Sequence, residues 1–150
     1  MTLVKKGRPS LGCSGDSPTV VVVGRRAAKA LAVHLDETTT VRYASSDQQL
    51  VRQATNAGLD AGCVDETDAG SLCPVTEHAD AAVVVFDSNR STLLTAQLLR
   101  VCCNVEDVFA TVTEPAHVDA FEGTGIRLLD TQSWLAGIVR EELALSAVDA

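Results

Sequence analysis

Aromatic residues make up only 3% of this chain of 150 residues, so its core cannot rest on stacked rings and must be filled by aliphatic side chains. Lysine is also scarce, with Lys5, Lys6 and Lys29 the whole supply. No run of about 18 apolar residues occurs, which excludes a membrane-spanning helix and direct membrane insertion. Lys5, Lys6 and Arg8 stand near the N-terminus, but no apolar stretch follows before Thr19, and this argues against a secretory leader. The five cysteines, Cys13, Cys63, Cys73, Cys102 and Cys103, are odd in number and lack C-x-x-C spacing. That argues against a disulfide framework and against a zinc site, and favours a reducing cytoplasm.

What the chain does have is Val, Ala and Leu, which carry most of its 46% hydrophobic content. Cores of this kind suit buried parallel strands covered by helices. The length is that of one domain with one real core. Charge is unevenly placed: residues 1–18 carry a net +2, whereas residues 19–150 carry −10. So acidic a body repels nucleic acid and anionic lipid. Low Lys with abundant Asp, Ala, Val and Thr resembles the composition of proteins from salt-loving organisms, so a halophilic source is expected.

Residues 1–18 mix Gly, Pro, Ser and charge without periodicity and read as a flexible tail. From Thr19 the chain alternates strand and helix signals. TVVVVG (Thr19 to Gly24) is an apolar run ended by glycine, followed by a short helix over Arg26 to Leu35. Thr39 to Ala44 reads as a second strand, after which Asp47 caps a helix bearing Leu50, Val51 and Ala54. Leu59 to Val64 is a weaker third strand before a short helix, and AAVVVF (Ala81 to Phe86) is the clearest strand. Thr92 to Val101 is the clearest helix, with Leu93, Leu94, Leu98 and Leu99 as its apolar stripe. Val108 to Val112, Pro115 to Phe121, Ile126 to Leu129 and Ser133 to Leu145 complete the series. Six strand-helix units predict an α/β, Rossmann-like doubly wound parallel sheet with helices on both faces, spanning 19–150.

In such a sheet a ligand sits beyond the carboxyl ends of the strands, where strand order reverses between the first and fourth. The tips to watch are Gly24-Arg25-Arg26, Ser45-Ser46-Asp47, Asp65-Glu66-Thr67, Asp87-Ser88-Asn89 and Thr113-Glu114. Enzyme chemistry finds little support there. His34, His78 and His117 all lie away from the tips, where a general base would meet substrate. Cys102 and Cys103 are expected to be small buried residues at a helix end, since adjacent helix positions do not face one site. Ser14 and Ser88 have no partner histidine in a nucleophile turn.

VVVVGRRAAKALAVHL, VDETDAGSL, ADAAVVVFDSNRSTLLTAQLL and VFATVTEPAHVDAF together resemble the N-terminal TrkA-N domain of the Trk potassium-uptake regulator, the RCK or KTN family. The resemblance spans about residues 19–130. Val64-Asp65-Glu66-Thr67 stands where the family has Gly-Asp-Ala-Thr. The resemblance implies a regulatory, non-catalytic, cytoplasmic domain that binds NAD(H) or ATP/ADP, assembles as a homodimer or higher oligomer, and modulates a membrane cation transporter or channel; the late helices are the expected dimer surface, though their apolar stripes could equally serve the domain's own core.

The departures concern the site itself. Of the glycines in G-x-G-x-x-G only Gly24 remains, with Arg26 and Lys29 at the second and third positions. A side chain at 26 is expected to obstruct the pyrophosphate path, while the helix N-terminus still offers free N–H groups. Arg25 and Arg26 read either as phosphate ligands or as solvated surface charges. Ser45 stands where an acid normally accepts from the ribose hydroxyls, which removes a preference for NAD and leaves room for a 2′-phosphate or for a different nucleotide. Asp65 and Thr67 read either as cleft residues or as a cap for the next helix, and Asp87, Ser88 and Asn89 either as ligand contacts or as a capping turn. Thr111 replaces an arginine the family often carries after its fifth strand. The resemblance therefore leaves two main readings, a nucleotide-sensing regulator and a Rossmann scaffold that no longer binds nucleotide. An NAD(P)-dependent oxidoreductase is a distant third. The family normally adds a second domain, so a chain of this length is expected to act as a stand-alone subunit or divergent paralogue.

Overall fold

The consecutive valines Val20 to Val23 put β-branched side chains on both faces of the chain, which favours an extended strand with no solvent face. In the computed structural model, which describes residues 18–112 and 125–149, they form the centre of β1 (Thr19–Gly24), and Val21, Val22 and Val23 are fully buried. Beside it lie β2 (Thr40–Ser45), β3 (Asp60–Cys63), β4 (Ala81–Val85), β5 (Asp107–Val112) and β6 (Ile126–Asp130). The sheet order is β3-β2-β1-β4-β5-β6, with every neighbouring pair parallel. Strand order thus reverses between β1 and β4, as the doubly wound pattern requires.

Among the described residues the helices are α1 (Arg26–Leu35), α2 (Gln48–Asn56), α3 (Ala69–Val75), α4 (Asn89–Gln97) and α5 (Thr131–Asp149). Alternation along β1 separates two cores. Val22 packs with Ala28 and Ala32 of α1, Tyr43 of β2, and Leu50 and Ala54 of α2. Val21 and Val23 join the opposite core, with Leu72 of α3, Ala96 of α4, Leu99, and Val84 and Val108 of the neighbouring strands. Helices therefore cover both faces.

Capping is local. Asp47 accepts from the backbone N–H of Gln49 at 3.0 Å and of Leu50 at 3.2 Å, as expected for α2. Asp68 caps α3 through Gly70 N, and Ser88 caps α4 through Ser91 N.

Three sequence expectations need correction. The helix after β4 begins at Asn89 rather than Thr92, and its buried face is Thr92, Thr95 and Ala96, while Leu94 is 49% exposed. The threonines tolerate burial because their hydroxyls donate to Ser88 O at 3.0 Å and Glu66 O at 3.2 Å. Beyond Gln97 the helix widens into a π-helical turn, Leu98–Cys102, closed by Cys103 N donating to Leu98 O at 3.1 Å. That wider turn shifts the residues that follow relative to an α-helical stripe.

The cysteine count also misleads, and with it falls the argument from unpaired cysteines to a reducing compartment. Cys73 on α3 and Cys103 after the π-helical turn form a disulfide with their Cα atoms 4.9 Å apart. They stand 30 residues apart in sequence, and only the packing of α3 against the turn brings them together. Cys63 and Cys102 are free and exposed, so Cys102 is not the buried residue expected. Cys103 is partly buried against the core.

Thr111, the third correction, lies within β5 rather than beyond it, and its hydroxyl donates to Val84 O at 3.3 Å. The expected helix over Pro115 to Phe121, the Thr113-Glu114 tip, His117 and the tail up to residue 17 lie outside the described residues. Among the described residues no helix is long and apolar enough to cross a membrane.

Candidate functional site

The strand tips at the β1–β4 reversal depend on a residue with no side chain. Gly24 has φ of +151°, and a Cβ there would lie 2.0 Å from Val85 O and 2.9 Å from the Ala28 Cβ. Only glycine lets β1 end against β4 while α1 starts directly above. Tyr43 then holds the turn from below. Its side chain is buried, and its hydroxyl lies 3.1 Å from Gly24 O and 3.0 Å from Arg25 O, sharing its one proton between them. Burial pushes the Tyr43 phenol up from its ordinary range; a hydrogen bond from Ser45 and the Arg25 charge oppose this, and the Glu66 and Asp47 carboxylates add to it.

Beside this turn lies a cleft of about 270 Å³, just below the range of about 300–1,000 Å³ for small-molecule sites. Arg25, Glu66, Thr67, Asp87 and Ser88 of the sequence-derived candidates line it. Phe86, Ser91, Leu94 and Thr95 line it too and were not anticipated. The available signal was the spacing of Ser88, Ser91 and Thr95 on successive turns of one helix face. Arg25, the N-cap of α1, lines the cleft and makes no side-chain capping bond, so the first N–H groups of α1 have no cap from that side chain.

Glu66 organises the cleft. It is 6% exposed. Its Oε2 accepts from Ser46 N at 3.0 Å, and its Oε1 accepts from Ser46 Oγ at 3.0 Å and from Arg25 Nη2 at 3.4 Å. The loop after β3 thereby delivers a carboxylate to the tip of β2. The Arg25 side chain is 58% exposed, so its ion pair with Glu66 is worth no more than about 1 kcal/mol and opens readily.

Other candidates stand elsewhere. Ser45 is fully buried and accepts from Asp47 N at 3.1 Å, so it shapes the β2–α2 turn and does not face the cleft. Arg26, expected to obstruct the pyrophosphate path, is not among the residues that line this cleft. One residue further into α1, it lines a separate depression of about 340 Å³ with Lys29 and with Asp47 and Gln53 of the α2 region. Asp65 neither lines the cleft nor caps α3. Its Oδ1 accepts from Thr67 Oγ1 at 2.7 Å and Thr67 N at 3.0 Å, and these two bonds, the hydroxyl's first, hold its carboxyl below the usual range. Asn89 is the first residue of α4, half-buried. His34 and His78 are exposed and outside the cleft lining. Among the described residues no group of three or more His, Cys, Asp or Glu is placed to hold a metal ion.

This arrangement can offer a guanidinium to phosphate, hydroxyls and carboxylates to a sugar, and Phe86 and Leu94 to an apolar group. Among solved structures, the NAD(P)-binding domain of an exopolyphosphatase-related protein from Archaeoglobus fulgidus is similar over 83% of this chain and 96% of that one, at 19% identity and a TM-score of 0.75. AtPrR2, solved in apo form, is similar over 73% of this chain at 16% identity and a TM-score of 0.57, and this chain covers 45% of its length. At these identities the likeness is one of fold. Among curated proteins none matches this chain. Residues 19–129, which contain the whole cleft, match the family model of the TrkA-N domain. The chain therefore belongs to the TrkA-N domain family, nucleotide-binding regulatory domains of potassium transport.

Proposed function

We propose that this chain is a regulatory, non-catalytic domain that senses an adenine nucleotide, NAD(H) or ATP/ADP, and modulates a cation transporter or channel from the cytoplasmic side. The observation that carries the reading is the cleft at the β1–β4 reversal, where Arg25, the N-cap of α1, meets Glu66, Thr67, Asp87 and Ser88. These groups bind and orient. Among the described residues its lining holds no histidine or cysteine, the side chains most suited to general-base or nucleophilic work near neutral pH.

Occupancy reaches a partner through a surface that changes with it. The assembly is proposed to be a homodimer or higher oligomer using α5, where Leu135, Ile138, Val139 and Leu143 are all about half exposed or more and recur at one-face helical spacing. The nucleotide reading is tested by melting the chain in high potassium chloride with ATP, ADP, NADH or NADPH. A ligand at a hundred times its Kd adds about 2.7 kcal/mol to stability, an easily read rise in Tm. No rise with any of them at millimolar concentration overturns the proposal.

A second reading, a scaffold whose cleft takes no nucleotide, is favoured by one feature. The Arg25–Glu66 pair and the bonds to Ser46 already join the tips of β1, β2 and β3 without a ligand. It predicts that the nucleotide melts superimpose on the unliganded one.

A further inference from the structure

We infer that Glu66 acts as the ribose-recognising carboxylate of this cleft, supplied from the loop after β3, and that it selects nucleotides with a free 2′-hydroxyl over those carrying a 2′-phosphate. The inference rests on the nucleotide-binding reading above and names the ligand class within it.

Dinucleotide-binding folds place an acid at the end of the second strand, about 20 residues after the glycine turn, where it accepts from ribose hydroxyls. Here that strand ends in Ser45, buried and committed to Asp47 N, and is followed by Ser46, so β2 itself brings no carboxylate. The space is nevertheless occupied by one. Both oxygens of Glu66 lie 3.0 Å from donors of Ser46, the residue just past the strand. Judged from residue types along the chain, the acid is lost; judged by position, it has been replaced from the neighbouring loop.

The carboxylate is held firmly enough to discriminate. Its backbone is tied to α4 by Thr95 Oγ1, which donates to Glu66 O at 3.2 Å, and its two oxygens are oriented by two different groups of Ser46. It is 6% exposed, and what it exposes includes part of the cleft wall. A carboxylate oxygen accepts about two hydrogen bonds. Oε2 has taken one, and Oε1 has taken two, the longer from Arg25 at 3.4 Å. A ligand phosphate that draws Arg25 away leaves one place open on each oxygen, matching the two adjacent hydroxyls of a ribose. A 2′-phosphate brings acceptors and negative charge to the same spot, against a carboxylate largely removed from water, where repulsion is poorly screened.

The experiment is calorimetric binding of the full chain to matched pairs, NADH against NADPH and AMP against adenosine 2′,5′-bisphosphate. The wild type is expected to prefer the member without the 2′-phosphate by about tenfold or more, the worth of hydrogen bonds to a charged group. Glu66→Gln keeps the shape, and its amide can still accept from Ser46 N and donate to Ser46 Oγ. It should weaken NADH about tenfold and bring the NADH and NADPH affinities to within about threefold of each other. The unliganded melt of the variant shows whether it folds, and the wild-type comparison needs no variant at all. Equal wild-type affinity within each pair, or tighter binding of both members by Glu66→Gln, overturns the inference while leaving nucleotide binding intact. Failure of every nucleotide to bind the wild type overturns the nucleotide reading and this inference with it.

Discussion

The hydroxyl of Tyr43, near the middle of β2, lies 3.0 Å from the carbonyl oxygen of Arg25 at the start of α1. A core side chain thus fixes the turn that presents Arg25 to the cleft. Tyr43→Phe keeps the ring but leaves the Gly24 and Arg25 carbonyls without that donor. A loss of about 1 kcal/mol is expected, seen as a fall in Tm of about 3 °C for a chain of this size.

Tyr43 is also the only tyrosine, so its ionisation can be followed by ultraviolet absorbance with no other phenol in the signal. Burial raises its pKa in the folded state above the ordinary value near 10. A group with a raised folded pKa holds its full stabilising contribution below the unfolded pKa and loses it as pH rises through the folded one. The absorbance midpoint should therefore lie above that of the urea-unfolded chain, and stability should fall over the same alkaline interval. In Tyr43→Phe that part of the pH–stability curve should flatten. Coincident folded and unfolded midpoints would show the phenol to be solvated.

Gly24→Ala is expected to be far more damaging than its size suggests. The added Cβ meets backbone oxygen at 2.0 Å and the Ala28 side chain at 2.9 Å, and neither yields without separating β1 from β4 or lifting α1. A cost of about 3 kcal/mol or more follows, measurable as a lower urea midpoint with little change in m.

Arg25 and Arg26 are adjacent but should behave differently. Only Arg25 lines the cleft, while Arg26 lines the depression beside α2. Arg25→Ala should weaken ATP or NADH binding about tenfold through loss of a charge-assisted contact. Arg26→Gly should change it by less than about twofold, as for a surface site away from the ligand. Calorimetry on both variants checks this, and a large gain in Arg26→Gly would restore the expectation that Arg26 obstructs the phosphate path.

The Cys73–Cys103 disulfide closes a loop of 30 residues. Its removal should cost about 3 kcal/mol through the freedom returned to the unfolded chain, or roughly 6 to 12 °C in Tm. The reduced chain and the Cys73→Ser, Cys103→Ser double variant should melt at matching low temperatures, and the unreduced chain higher by that amount. Peptide mapping of the unreduced chain should recover Cys73 linked to Cys103.

Much of the architecture was legible because it follows from local patterns. The valine run of β1, the helix from Arg26 to Leu35 and the Asp47 cap each depend on residues a few positions apart, and each stands where the pattern puts it. Departures begin where a distant contact overrides the local signal. Leu94 belongs to an apolar stripe by spacing yet faces outward, because Thr92 and Thr95 find acceptors in Ser88 O and Glu66 O and can be buried in its place. Asp65, at a strand tip by alignment, is turned into its own loop by Thr67.

The amino-acid sequence by itself determined the order of strands and helices, the parallel sheet and its reversal beside Gly24, since hydrophobic period and connection length act along the chain. Tertiary structure alone decided which charges meet. Ser45 lacks a carboxylate as a matter of residue type, yet the tip of β2 has one, because β3 runs parallel beside β2 and its following loop returns Glu66 to Ser46. The same holds for Cys73 and Cys103, whose pairing comes from α3 packing on the π-helical turn. Hydrogen bonds and disulfides act over ångströms of space, and that distance is set only once the sheet has assembled.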